Sequence, residues 1–77
     1  MKVDQVLDAK GLACPMPIVR TKKAMDTLQV GQILEVQATD KGSLADLTAW
    51  TTAAGHILLE HKHEADVFTF YIKKLEK

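Results

Sequence analysis

The chain has one cysteine, Cys14, in the run Gly11-Leu12-Ala13-Cys14-Pro15-Met16-Pro17. Downstream, apolar residues recur at Ile18, Met25 and Leu28, with Thr21 in the same stripe, a spacing that predicts a helix starting directly after the cysteine. Proline suits a first helical turn, where its missing N–H had no partner anyway. A helix N-terminus carries about half a positive charge and favours thiolate over thiol. Exposed thiols so placed have pKa values lowered from about 8.5 into the range of roughly 3.5–7.5. The prolines delete the N–H groups of residues 15 and 17, leaving Met16 and Ile18 as the nearest donors, and they stiffen the chain. Most lone cysteines are inert packing. The helix start and the paired prolines shift the balance toward a thiol that works.

Other polar residues offer less. His61 and His63, two apart on an expected strand, face one side and could share a metal, but no carboxylate or cysteine joins them, so polar decoration of an edge is the plainer reading. Asp46 reads as a helix cap. Asp8 lies near the cysteine loop, where its carboxylate can accept hydrogen bonds from turn N–H groups or face solvent. Arg20, Lys22 and Lys23 spread around the helix as a solvated face that can attract an acidic partner.

The elements that must hold Cys14 follow from pattern. Val3 to Leu7 reads as a strand, Gly11 breaks it, and Gly31 closes the first helix. Ile33 to Thr39 alternates, with Leu34, Val36 and Ala38 on one side, as a half-buried strand does. Asp40-Lys41-Gly42 makes a turn. Ser43 with Asp46 has the form of a capping box, and Leu44, Leu47, Trp50, Thr51 and Ala54 supply a second helical stripe ended by Gly55. Ile57-Leu58-Leu59 opens a third strand that turns polar at Glu60. After a turn near Glu64-Ala65-Asp66, Val67 to Ile72 forms a fourth.

The order β-α-β-α-β-β predicts parallel pairing between strands joined through helices and a final antiparallel hairpin. One-sided alternation puts both helices on one face, giving a two-layer α/β sandwich with a four-stranded mixed sheet. The charged third strand suits an edge, and the expected order is 1-2-4-3.

Seventy-seven residues allow a single domain over 1–77. At 47% hydrophobic and 26% charged the composition is that of a globular protein, not a disordered one. A lone cysteine cannot form an intramolecular disulfide, so a reducing, cytoplasmic setting is expected. The N-terminus lacks an apolar h-region and no run reaches the roughly 18 apolar residues of a span, so neither a signal nor membrane insertion is expected. Ten basic and ten acidic residues cancel, which counts against direct nucleic-acid binding.

Leu7-Asp8, Gly11-Leu12 and Cys14-Pro15-Met16-Pro17 together resemble the signature of the TusA/SirA-like sulfur carriers. Gly31, Asp40, Asp46, Trp50 and Gly55-His56 continue the resemblance across essentially the whole chain, while Thr48 stands where many relatives carry proline. The resemblance implies a protein that takes up sulfane sulfur as a persulfide on Cys14, with Asp8, Gly11, Pro15 and Pro17 supporting, and needs no cofactor or metal. The implied donor is a cysteine desulfurase or rhodanese-like protein. The implied acceptors lie in tRNA thiolation, molybdenum-cofactor assembly or sulfur oxidation, and some members accompany transporters of sulfur compounds. The absence of a second cysteine fits, because a resolving thiol would discharge a persulfide as a disulfide. Such a carrier performs half-reactions rather than stand-alone turnover. A single-cysteine redox protein and, by fold analogy alone, an RNA-binding module are the competing readings.

Overall fold

The computed structural model describes residues 2–13 and 15–75, so Cys14 itself lies outside the described residues. The elements are β1 (Gln5–Ala9), α1 (Met16–Asp26), β2 (Ile33–Ala38), α2 (Ser43–Ala53), β3 (Ile57–Glu64) and β4 (Val67–Lys73). They form one four-stranded sheet in the order β1-β2-β4-β3, with β1 and β2 parallel and the remaining pairs antiparallel. Order, pairing and layers agree with the sequence-based expectation.

Residues paired across a sheet share a face. Leu34, Val36 and Ala38 of β2 pair with Ile72, Phe70 and Phe68 of β4, and β1 adds Leu7 and Ala9 opposite Val36 and Ala38. This face meets the helices through Met25, Leu28 and Leu47, and the core is completed at its margin by Leu12, Ile18, Trp50 and Leu58. The other face carries Asp8, Glu35, Gln37, Thr69 and Tyr71, together with Val6, which is 56% exposed. Removing the Phe70 ring from this thin core would cost about 3–5 kcal/mol.

Several local details differ from the sequence reading. β1 begins and ends two residues later than expected, because Ala9, fully buried, is needed to fill the register opposite Ala38. Gly31 does not end α1. The helix stops at Asp26, with Thr27 as C-cap, and Lys74 Nζ donates to the carbonyls of Met25 (2.8 Å) and Leu28 (2.7 Å). Gly31, at φ +90°, instead turns the chain into β2, where its N–H donates to the Lys74 carbonyl. The capping box is not formed: Gly42 is the N-cap of α2, no side chain caps it, and the buried Ser43 hydroxyl has no hydrogen-bond partner. Leu44 lies on the exposed side of α2, and Thr48 sits inside that helix, its hydroxyl donating to the Leu44 carbonyl.

Gly55 does end α2 as expected. At φ +81° its N–H donates to the Thr52 carbonyl and the His56 N–H to that of Thr51, the two bonds of a Schellman motif.

Candidate functional site

Position 14 lies between the end of β1 and the start of α1, and the described residues on either side are held in place. The Ala9 carbonyl accepts the Leu12 N–H at 3.3 Å, with Gly11 at φ +82° as the third residue of that turn. Positive φ in this position strongly favours glycine. No atom lies within 4 Å of where a Cβ would stand at Gly11, so the glycine answers to backbone conformation and not to space. Asp8 Oδ1 accepts the Lys10 N–H at 3.0 Å, a local bond that stiffens the exit from β1. The Gly11 N–H donates at 2.9 Å to the hydroxyl of Thr39, the residue that follows β2.

On the far side, the Met16 N–H donates to the Ala13 carbonyl (2.9 Å), tying together the two flanks of position 14. The N–H groups of Ile18 and Val19 both donate to the Pro15 carbonyl at 3.1 Å. Pro15 and Pro17 have none to give. Met16 and Ile18, expected from the sequence to be the nearest donors for a sulfur anion, are therefore already bonded to backbone carbonyls. What the helix start offers an anion is chiefly its dipole, unopposed by any acidic side chain in the first turn of α1.

Of the remaining candidates, Arg20, Lys22 and Lys23 are exposed, as a solvated face requires. His61 and His63 do share a face, opposite Phe70 and Phe68, and both pack on aromatic rings: His63 stacks on Phe68 at 4.2 Å and His61 lies 6.5 Å from Phe70. Among the described residues no group of three His, Cys, Asp or Glu side chains is placed to hold a metal. His56 packs against Trp50, and its Nδ1 accepts the Leu75 N–H at 3.2 Å, so it ties the C-terminal segment to α2. Asp46 sits in the first turn of α2, where a carboxylate complements the positive end of the dipole. On the open face of the sheet Lys62 Nζ lies 5.8 Å from the centre of the Tyr71 ring, and the neighbouring tyrosine raises the Lys62 pKa above its ordinary value.

Sequence reasoning did not find Thr39 or Lys74. Both act on backbone groups distant in sequence, and neither carries a local pattern. Thr39 also lines a cleft of about 590 Å³ with Lys41, His63, Asp66 and Phe68, beside the loop it holds.

Among solved structures, a SirA-like protein from Desulfitobacterium hafniense matches with a TM-score of 0.81 and 26% identity, over 94% of this chain and 99% of that one. Its fold is the one described here, and it places the chain among the small SirA-like α/β proteins. A family model described as Sulfurtransferase TusA matches residues 5–74, and the chain belongs to that family. Sulfur carrier protein TusA of Allochromatium vinosum is 49% identical over 71 residues, covering 92% of this chain and 93% of that protein. YrkI of Bacillus subtilis is 68% identical over 74 residues, covering 96% and 99%. In YrkF of the same organism, 54% identical, the matched region makes up 40% of a longer chain.

Proposed function

We propose that this chain carries sulfur as a persulfide on Cys14, receiving it from one protein and surrendering it to another. It is a sulfur carrier of the TusA family, and such carriers meet sulfur donors and acceptors in general. The finer reading is that a cysteine desulfurase or rhodanese-like protein loads it. In the loading step the Cys14 thiolate attacks the outer sulfur of the donor's protonated persulfide. The new S–S bond forms on Cys14 as the donor's own S–S bond breaks, and the donor cysteine leaves as thiolate. Electrons and protons balance, and no oxidant enters.

The observation that supports this reading is the loop on both sides of position 14. Its preceding residues are held by Asp8 and Thr39 and its following residues open a helix through two prolines. An inert packing cysteine needs none of that. Asp8, Gly11, Pro15 and Pro17 are supporting residues in this account, with Asp8 and Gly11 shaping the turn and the prolines stiffening the helix start. The unit that does this work is the single domain formed by residues 1–77. No described helix is long and apolar enough to cross a membrane, so α1 and α2 are read as scaffold.

The test is intact mass after incubation with a cysteine desulfurase and cysteine. The parent chain gains one sulfur, and Cys14→Ser gains none while its stability changes by less than about 1 kcal/mol, as at a surface position. Loading of the Ser variant would place the cargo elsewhere, and ready unfolding would make Cys14 a core residue.

A further inference from the structure

Among the described hydrogen bonds of residues 10–13, three are local: Lys10 to the Asp8 carboxylate, Leu12 to the Ala9 carbonyl, and Met16 to the Ala13 carbonyl. These fix the shape of the turn and its join to α1, and Leu12 rests at the margin of the core, but none of them ties the turn's backbone to the sheet beyond β1. The bond from the Gly11 N–H to Thr39 Oγ1 at 2.9 Å spans 28 residues and joins the loop to the end of β2. β2 pairs with β1 on one side and β4 on the other, so it is an interior strand of the sheet. Thr39 follows it directly, and its backbone therefore starts from one of the firmest parts of the fold.

We propose that Thr39 is a positioning residue for sulfur exchange at Cys14, its hydroxyl fixing the loop that delivers the cysteine relative to the sheet. This rests on the persulfide reading above. The residue is exposed, so its role is not packing. Its hydroxyl accepts from Gly11 and keeps its own proton to donate. The same side chain lines the cleft shared with Lys41, His63, Asp66 and Phe68, so a partner filling that cleft would touch the residue that holds the loop. Exchange between two proteins needs the sulfur in a near-attack position, and small misplacements cost rate heavily. A small diffusing reagent makes no such demand.

Thr39→Val keeps the branched shape and removes the acceptor, whereas Thr39→Ser keeps the hydroxyl. Three measurements distinguish the roles: exchange of the Gly11 amide, single-turnover persulfide loading from a desulfurase, and alkylation of Cys14 by a small reagent. In the Val variant the Gly11 amide should exchange faster and loading should slow by about 3- to 10-fold, the range set by losing one exposed hydrogen bond. Alkylation should change by less than about twofold, since the helix start that acts on the thiol is untouched. Thr39→Ser should restore both loading and protection.

The proposal is overturned if Thr39→Val loads at the parental rate, if Thr39→Ser is as slow as Val, or if alkylation falls in step with loading. A parent chain that does not load would sink the persulfide reading and this role with it. A loading parent with an unaffected Val variant would sink the role of Thr39 alone.

Discussion

Lys74→Met isolates one long-range contact that the residue following β4 makes with the far end of α1. Methionine keeps much of the aliphatic stem and the backbone bonds, in which the Lys74 N–H donates to Gln32 and its carbonyl accepts from Gly31. What disappears is the ammonium that donates to the Met25 and Leu28 carbonyls at 2.8 and 2.7 Å. A hydrogen bond to a charged group contributes about 1.5–3 kcal/mol where water cannot replace it. Lys74 is only half-buried, so water recovers part of each bond and the two together retain roughly 1–2 kcal/mol. Losing a cation at a helix C-terminus adds about 0.3–1 kcal/mol. The sum is about 2 kcal/mol, a large share of the roughly 4–12 kcal/mol expected for a chain of this length. In a domain this small it lowers Tm by about 8–16 °C. Urea unfolding followed by circular dichroism measures it. Lys74→Arg should lose less, because the charge stays. Single-turnover sulfur loading of the folded Met variant should equal the parent's, because the contact is at the opposite end of α1 from position 14. A loss below about 0.5 kcal/mol would refute the capping argument, and slowed loading would refute the separation of the two helix ends.

Ser43→Ala should stabilise the fold by about 1 kcal/mol, because it removes a buried hydroxyl without a partner and improves helix propensity; a lower urea midpoint would contradict this. Ala65 and Asp66 form the β3–β4 turn at φ 49° and 65°, a geometry that favours Asn-Gly, so the pair Ala65→Asn and Asp66→Gly should raise stability by about 1 kcal/mol in the same assay. Replacing Pro15 and Pro17 together by Ala should leave a folded chain with a reactive thiol that loads persulfide more slowly than the parent. Equal losses in loading and in small-reagent alkylation would mean that the prolines serve the thiol itself. Alkylation of the parent chain against pH should give a midpoint below the free-thiol value of about 8.5; a midpoint at or above it would remove the dipole argument.

The topology was legible because Leu34, Val36 and Ala38 and then Phe68, Phe70 and Ile72 mark one buried face with period two, and the helical segments between strands force the crossovers. Period two fails at β3. The register slips between Leu58 and Glu60, so Leu59 is an extra residue. Strict alternation from Leu58 would send Glu60 and Lys62 toward the helices. The bulge sends His61 and His63 there instead, against Phe70 and Phe68. The capping-box pattern at Ser43 and Asp46 failed for a different reason: the helix begins one residue earlier than the pattern requires and buries the serine on its inner side. Cys14 and its prolines stand out in the sequence because the chemistry proposed for them is local. Thr39 was not, since a threonine closing a strand has no distinguishing neighbour and its partner is 28 residues away.

The committed backbone donors at the start of α1 bear on the direction of sulfur flow. Every hydrogen bond that a carrier extends to its cargo must be broken on release, and each one to a charged group is worth about 1.5–3 kcal/mol, roughly ten- to a hundredfold in an equilibrium constant. Two or three such bonds would turn a way-station into a sink. With the N–H groups of Met16, Ile18 and Val19 given to the carbonyls of Ala13 and Pro15, and with none at Pro15 and Pro17, the first turn withholds that grip. On the persulfide reading proposed above, the first turn of α1 therefore adds no backbone hydrogen bond that would favour keeping the sulfur. Net flow is set by how much loaded donor stands upstream and how irreversibly the final acceptor consumes its sulfur, and a carrier isolated with donor alone should settle at partial occupancy that follows the donor's own loading.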